Sequence, residues 1–177
     1  MKRRQFISAS IVGGVVLGLG GLVAIRPGRA TNQQPLTITA ALATLKALST
    51  NQLTASRLWT PQQIFSHCAQ SIEYSISGFP QQRPAWFKST VGHLAFSVFA
   101  AQGAMSHGLS DSIPGAPAFA TDETNIPALN RLIEALITFE QHAGPLAPHF
   151  AYGALSRADY ELAHVMHLYN HLEEIVS

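Results

Sequence analysis

Residues 126–141 read IPALNRLIEALITFEQ, and their spacing decides the fold. Leu129, Leu132, Ile133, Leu136 and Ile137 fall at i, i+3, i+4, i+7 and i+8, the period that gathers apolar side chains on one helical face. Gly144, Pro145 and Pro148 follow and stop the helix. Upstream, residues 107–124 contain Gly108, Pro114, Gly115 and Pro117 and show no period. A loop that long inside a compact domain is functional or mobile. A Phe- and Ala-rich segment before it predicts a helix over residues 89–106, with Gly103 and Gly108 at its fraying end. Further back, Thr60-Pro61-Gln62-Gln63 offers an N-cap residue, Pro at the first helical position and Gln three residues after the cap. Ile64, Phe65, Cys68, Ile72 and Ile76 then line a stripe that Gly78-Phe79-Pro80 closes. Leu42, Leu45 and Leu48 predict a first helix over residues 39–49. Downstream, Ser156-Arg157-Ala158-Asp159 begins a last helix expected to reach the C-terminus, with Asp159 near the positive end of its dipole. No stretch alternates with period two. The expectation is an all-α helical bundle over residues 39–177, preceded by a linker at 31–38.

The first 30 residues belong to a different class. Met1-Lys2-Arg3-Arg4 places positive charge ahead of an apolar run, residues 11–25, as a secretory signal does. Gly13, Gly14, Gly18, Gly20 and Gly21 interrupt the run, and each costs roughly 1 kcal/mol of helix stability relative to Ala. The run is also shorter than the approximately 20 residues a spanning helix needs. Gly28-Arg29-Ala30 offers small residues for a signal peptidase. Arg3-Arg4-Gln5-Phe6-Ile7 resembles the twin-arginine export motif, although Lys2 stands where that motif usually has Ser or Thr. The resemblance implies a signal helix at 1–30, the twin-arginine translocation machinery as a partner, and a periplasmic or other extracytoplasmic location. An uncleaved membrane anchor is the alternative.

Charge follows from this division. Five of the 11 basic residues lie in the first 30 positions and all 10 acidic ones lie beyond, so the remainder carries a formal −4 where the whole chain carries +1. Without a Lys/Arg cluster it lacks the electrostatic footprint expected for nucleic acid. Cys68 is the single cysteine, which excludes an intramolecular disulfide. A homodimer is left open.

Histidines carry the chemical signal. His164, His167 and His171 lie at i, i+3 and i+7 of the last predicted helix, within about 60° of one another around its axis. His167 and His171 are one turn apart, the separation that lets two imidazoles hold one metal ion. His67 lies centrally in the helix that starts at Thr60. Three neutral imidazoles from two packed helices make a facial site with open positions for water or substrate. The plainer reading is chance spacing and packing. His164 is open between fourth ligand, outer-sphere partner and packing residue. His93, His107, His142 and His149 read as surface, loop or cap residues.

The segment Trp59-Thr60-Pro61-Gln62-Gln63-Ile64-Phe65-Ser66-His67-Cys68 resembles the first ligand helix of the DinB/YfiT-like superfamily of small four-helix-bundle metalloenzymes. His167-Leu168-Tyr169-Asn170-His171 is similar to that superfamily's second motif. More narrowly, residues 67–75 and 149–156 resemble a branch known as domain of unknown function 1569. The resemblance implies an up-down-down-up four-helix bundle with His67, His167 and His171 as ligands of a divalent metal (Zn, Ni, Mn or Fe). Leu172-Glu173 replaces the Gly-Gln that commonly follows the last ligand, and Asn170 stands where the branch often has a further His.

With such an ion the protein would be a metal-dependent hydrolase or transferase acting on a small molecule. The end of the bundle bearing Trp59, Trp86, Tyr152 and the 107–124 loop is the expected pocket, with core packing as the alternative for those aromatics. Cys68 beside His67 is not a nucleophile signal, because adjacent helical residues diverge. A non-catalytic metal or ligand carrier and a purely structural bundle are the competing readings.

Overall fold

The computed structural model describes residues 15–18, 21–24, 34–48, 53–56, 58–119 and 124–176, and they are mainly helical. Helix α1 spans Ile38–Lys46, α2 Pro61–Ser77, α3 Ala85–Phe87, α4 His93–Gln102, α5 Asn125–Gln141 and α6 Arg157–Leu172. A π-helical turn, Lys88–Gly92, joins α3 to α4. The predicted helix over residues 89–106 is therefore displaced towards the N-terminus. Pro84 opens this segment, and Gly103, in the left-handed conformation at φ 64°, ends it. None of the helices among the described residues is long and apolar enough to cross a membrane.

Local chemistry sets both ends of α2 and the start of α6. Thr60 and Gln63 form a reciprocal capping box on α2 with Pro61 behind the cap, and Gly78 at φ 101° closes the other end. Ser156 and Asp159 form a second capping box on α6. Burial does the rest. α2 packs chiefly on α5, with α6 and α1 completing the larger core around Phe65, Ile72, Leu132, Leu136, Phe139, Tyr160 and Leu168. A smaller core lies between α4 and α6, built from Ala95, Phe96, Phe99, Met105, Ala163 and Met166.

Two expectations need correction. The last helix stops at Leu172, and the β-branched pair Ile175–Val176 forms a strand, β4, antiparallel to β3, Thr54–Ala55. Ser56 N–H also donates to the Glu174 carbonyl at 2.9 Å. This ladder ties the segment before α2 to the segment after α6. The part of the predicted signal helix that falls among the described residues is extended instead: Val15–Gly18 (β1) pairs antiparallel with Gly21–Ala24 (β2). Arg3, Arg4 and the proposed cleavage positions lie outside the described residues.

One glycine matters for the cavity described below. A Cβ on Gly92, at the end of the π-helical turn, would stand 1.9 Å from the Ala151 carbonyl oxygen. Only glycine lets the turn approach the 149–153 segment so closely, and both form cavity wall.

Candidate metal centre

α6 presents its histidines because its apolar residues fix its rotation. Tyr160, Val165 and Leu168 enter the larger core and Ala163 and Met166 the smaller one. Beyond α6, the structure brings His67 of α2 to His167 and His171. One ring nitrogen from each of these three lies within 4.8 Å of the others. Ring centroids are 4.9 Å apart for His67–His167 and His67–His171, and 4.8 Å for His167–His171. The His67 and His167 Nε2 atoms are 3.1 Å apart. Two tetrahedral ligands at zinc–nitrogen distances stand about 3.4 Å apart, so little movement separates this arrangement from a bound one. The same 3.1 Å suits a single N–H···N bond in the metal-free protein.

Unmet valences point the same way. His67 Nδ1 and both ring nitrogens of His171 are buried without a hydrogen-bond partner among the described residues. Leaving a buried donor or acceptor unmet costs about 1–3 kcal/mol. A cation among the three rings would take one lone pair from each and so meet one of the two open nitrogens of His171, with the proton of His67 left on Nδ1. Three imidazoles suit a divalent transition metal better than the hard, oxygen-seeking Ca²⁺ or Mg²⁺. The residues present therefore fit the group.

Electrostatics keep the rings ready to ligate. Burial, with an added contribution from His107, pushes His67 down to about 3. Burial and then the neighbouring His67 and His107 push His171 down to about 2. His167 is held well below its ordinary value by burial and then by His171, His107 and His67. All three are neutral at physiological pH, with lone pairs available.

Surroundings orient the cluster. The Glu174 carboxylate, 2 % exposed, lies 3.9 Å from His171 Nδ1. The β3–β4 ladder holds it there, beyond hydrogen-bond distance but within electrostatic reach of the ring. Glu174→Gln is expected to weaken zinc affinity by about 10–100-fold, measured by chelator competition, with the fold retained in circular dichroism. On another side Trp59 lies 4.8 Å from His67 and stacks on His171 at 5.9 Å, and Phe119 meets Trp59 edge-on at 5.2 Å. These aromatics shield the cluster from water.

A cavity of about 440 Å³ opens from the cluster, lined by His67, His107 and His167 and, further out, by Arg83, Asp111, His149, Tyr152 and His164. Tyr152 and the 107–124 loop thus line the pocket as the sequence suggests. Trp59 and Trp86 do not: Trp59 packs on His67 and His171 outside the cavity lining, and Trp86 is 59 % exposed. Cys68 is buried, and burial followed by the Glu174 charge pushes its thiol up, so it stays protonated.

The remaining histidines divide. His164 is not among the three converging nitrogens. Its Nε2 lies 3.1 Å from Ser75 Oγ, and because that hydroxyl donates to the Ile72 carbonyl, His164 is the donor. His93 is exposed, and His142 approaches the Pro145 carbonyl at a turn. His149 and His107 lie on irregular segments, as the loop reading has it, but both turn inward rather than to the surface. His149 is 8 % exposed, stacks on Tyr152 at 4.3 Å and accepts from the Ala151 and Tyr152 N–H groups. His107 lies 4.8 Å from His167 and 5.0 Å from His171, centroid to centroid. Neither carries a periodic signal, since both are on irregular segments.

Fold and site together define a mainly helical protein whose three clustered histidines are able to hold a metal ion. A family model described as "Protein of unknown function (DUF1569)" matches residues 31–177, and the chain belongs to that family. Comparison with curated proteins and with solved structures finds no match.

Proposed function

We propose that this chain is an exported, DinB-like four-helix-bundle protein that binds a divalent transition metal through His67, His167 and His171. In this reading it is a metal-dependent hydrolase or transferase for a small molecule. One observation carries it: three neutral imidazoles, two of them with unmet buried valences, converge beside a cavity large enough for a small substrate, and His67 and His167 line that cavity.

When bound, such an ion supplies Lewis acidity and lowers the pKa of a bound water or thiol towards neutrality. The chain's own residues do the rest. Trp59 and Phe119 exclude water from one side of the cluster. Glu174 orients His171. Arg83 gives the cavity wall a fixed positive charge suited to an anionic group on the substrate. Export is supported by the family match starting at Thr31, immediately after the proposed signal. The twin-arginine route admits proteins folded in the cytoplasm, so the metal would be chosen there.

The test loads the purified protein with Zn, Ni, Mn or Fe in turn and assays small ester, amide and thiol-transfer substrates. Turnover should depend on metal and fall at least about 100-fold in His67→Ala. Stoichiometric metal binding without turnover on any substrate class would instead make the protein a carrier.

A further inference from the structure

We infer that His107 is a fourth, displaceable metal ligand, delivered by the loop between α4 and α5; the inference rests on the metal-binding reading above. Gly103 turns the chain out of α4, and Met105 anchors the loop in the smaller core two residues before His107. The ring then stands as close to His167 and His171 as those rings stand to each other.

Hydrogen bonding fixes its chemical state. His107 Nδ1 lies 3.0 Å from the Gly108 carbonyl oxygen, which only accepts, so Nδ1 carries the proton. The lone pair is therefore on Nε2. That atom is buried and has no hydrogen-bond partner among the described residues. A proton held by a backbone carbonyl on one nitrogen and a free lone pair on the other is the state of a ligating histidine.

Its place in the cavity makes it displaceable. His107 is outside the trio whose nitrogens lie within 4.8 Å, and its loop continues through the exposed residues Gly108, Ser110 and Asp111. His107 also lines the cavity, so a donor entering from there meets it before reaching His171. With an ion bound, His107 would join His67, His167 and His171 as a fourth imidazole at rest. An incoming substrate donor would take the position of Nε2, one coordinate bond replacing another with no change in oxidation state.

Co(II) substitution of the full-length protein tests this by visible absorption and chelator competition. The wild type should show the intense d–d bands of four-coordinate Co(II). His107→Ala and His107→Gln should still bind one Co(II) per chain, with bands weakened severalfold and affinity lowered at least about tenfold. Added imidazole should restore the bands in His107→Ala. Spectra and affinities unchanged in both variants would overturn the role of His107 while leaving the three-histidine site standing. A wild type that takes up no Co(II) would overturn both.

Discussion

Saturating zinc is expected to raise the thermal unfolding midpoint of this protein by about 8–16 °C, and His167→Gln/His171→Gln to abolish the rise. A ligand that binds only the folded state at a thousand times its Kd adds about 4 kcal/mol of stability. For a domain near 150 residues each kcal/mol shifts the midpoint by about 2–4 °C. Under the proposed function the ligating state would need His67, His167 and His171 together, since each contributes one nitrogen to the cluster. His67→Ala should therefore remove the shift as the double variant does, although it lies on α2 and not α6. Differential scanning calorimetry with and without zinc reads all three proteins. An equal shift in wild type and double variant would place the metal elsewhere.

Acid should destabilise the metal-free protein strongly between pH 7 and pH 5. His149 and His164 are buried, and burial pushes each down to about 3, with the His164 charge adding to the effect on His149. Both are neutral in the folded state throughout this range. In the unfolded chain they take up protons below their ordinary value near 6.5. The unfolded state thus binds more protons, and stability falls as pH drops through the window from 6.5 to about 3. The pair alone accounts for roughly 3–4 kcal/mol between pH 7 and pH 5, and the metal-free cluster adds to it in the same direction. Urea unfolding at the two pH values measures the difference. Stability independent of pH across that interval would contradict the burial of these rings.

The sequence reveals the helices better than it reveals the site. Capping boxes at Thr60 and Ser156 and the apolar stripe on α5 are local signals, and local signals survive into the fold. His167 and His171 were legible for the same reason, because one helical turn fixes their relation before any tertiary contact forms. His67 was less legible: its central place in a well-capped helix made it a candidate, but nothing local says that α2 packs on α6 at that level. His107 was out of reach. Its segment has no period, and its place depends on the Gly103 turn and on Met105 finding the smaller core. The Ile175–Val176 strand escaped notice because two residues show no alternation, and its partner lies over a hundred residues away. Trp86 shows the converse: an aromatic residue near a predicted pocket is exposed unless the backbone turns it inward.

The central claim is that His67, His167 and His171 hold one metal ion. Elemental analysis of the wild type and His167→Gln/His171→Gln proteins, purified identically and dialysed free of loose ions, tests it most directly. The account predicts about one Zn, Ni, Mn or Fe per wild-type chain and almost none in the double variant. A wild type without stoichiometric metal, or a variant with equal content, would contradict it.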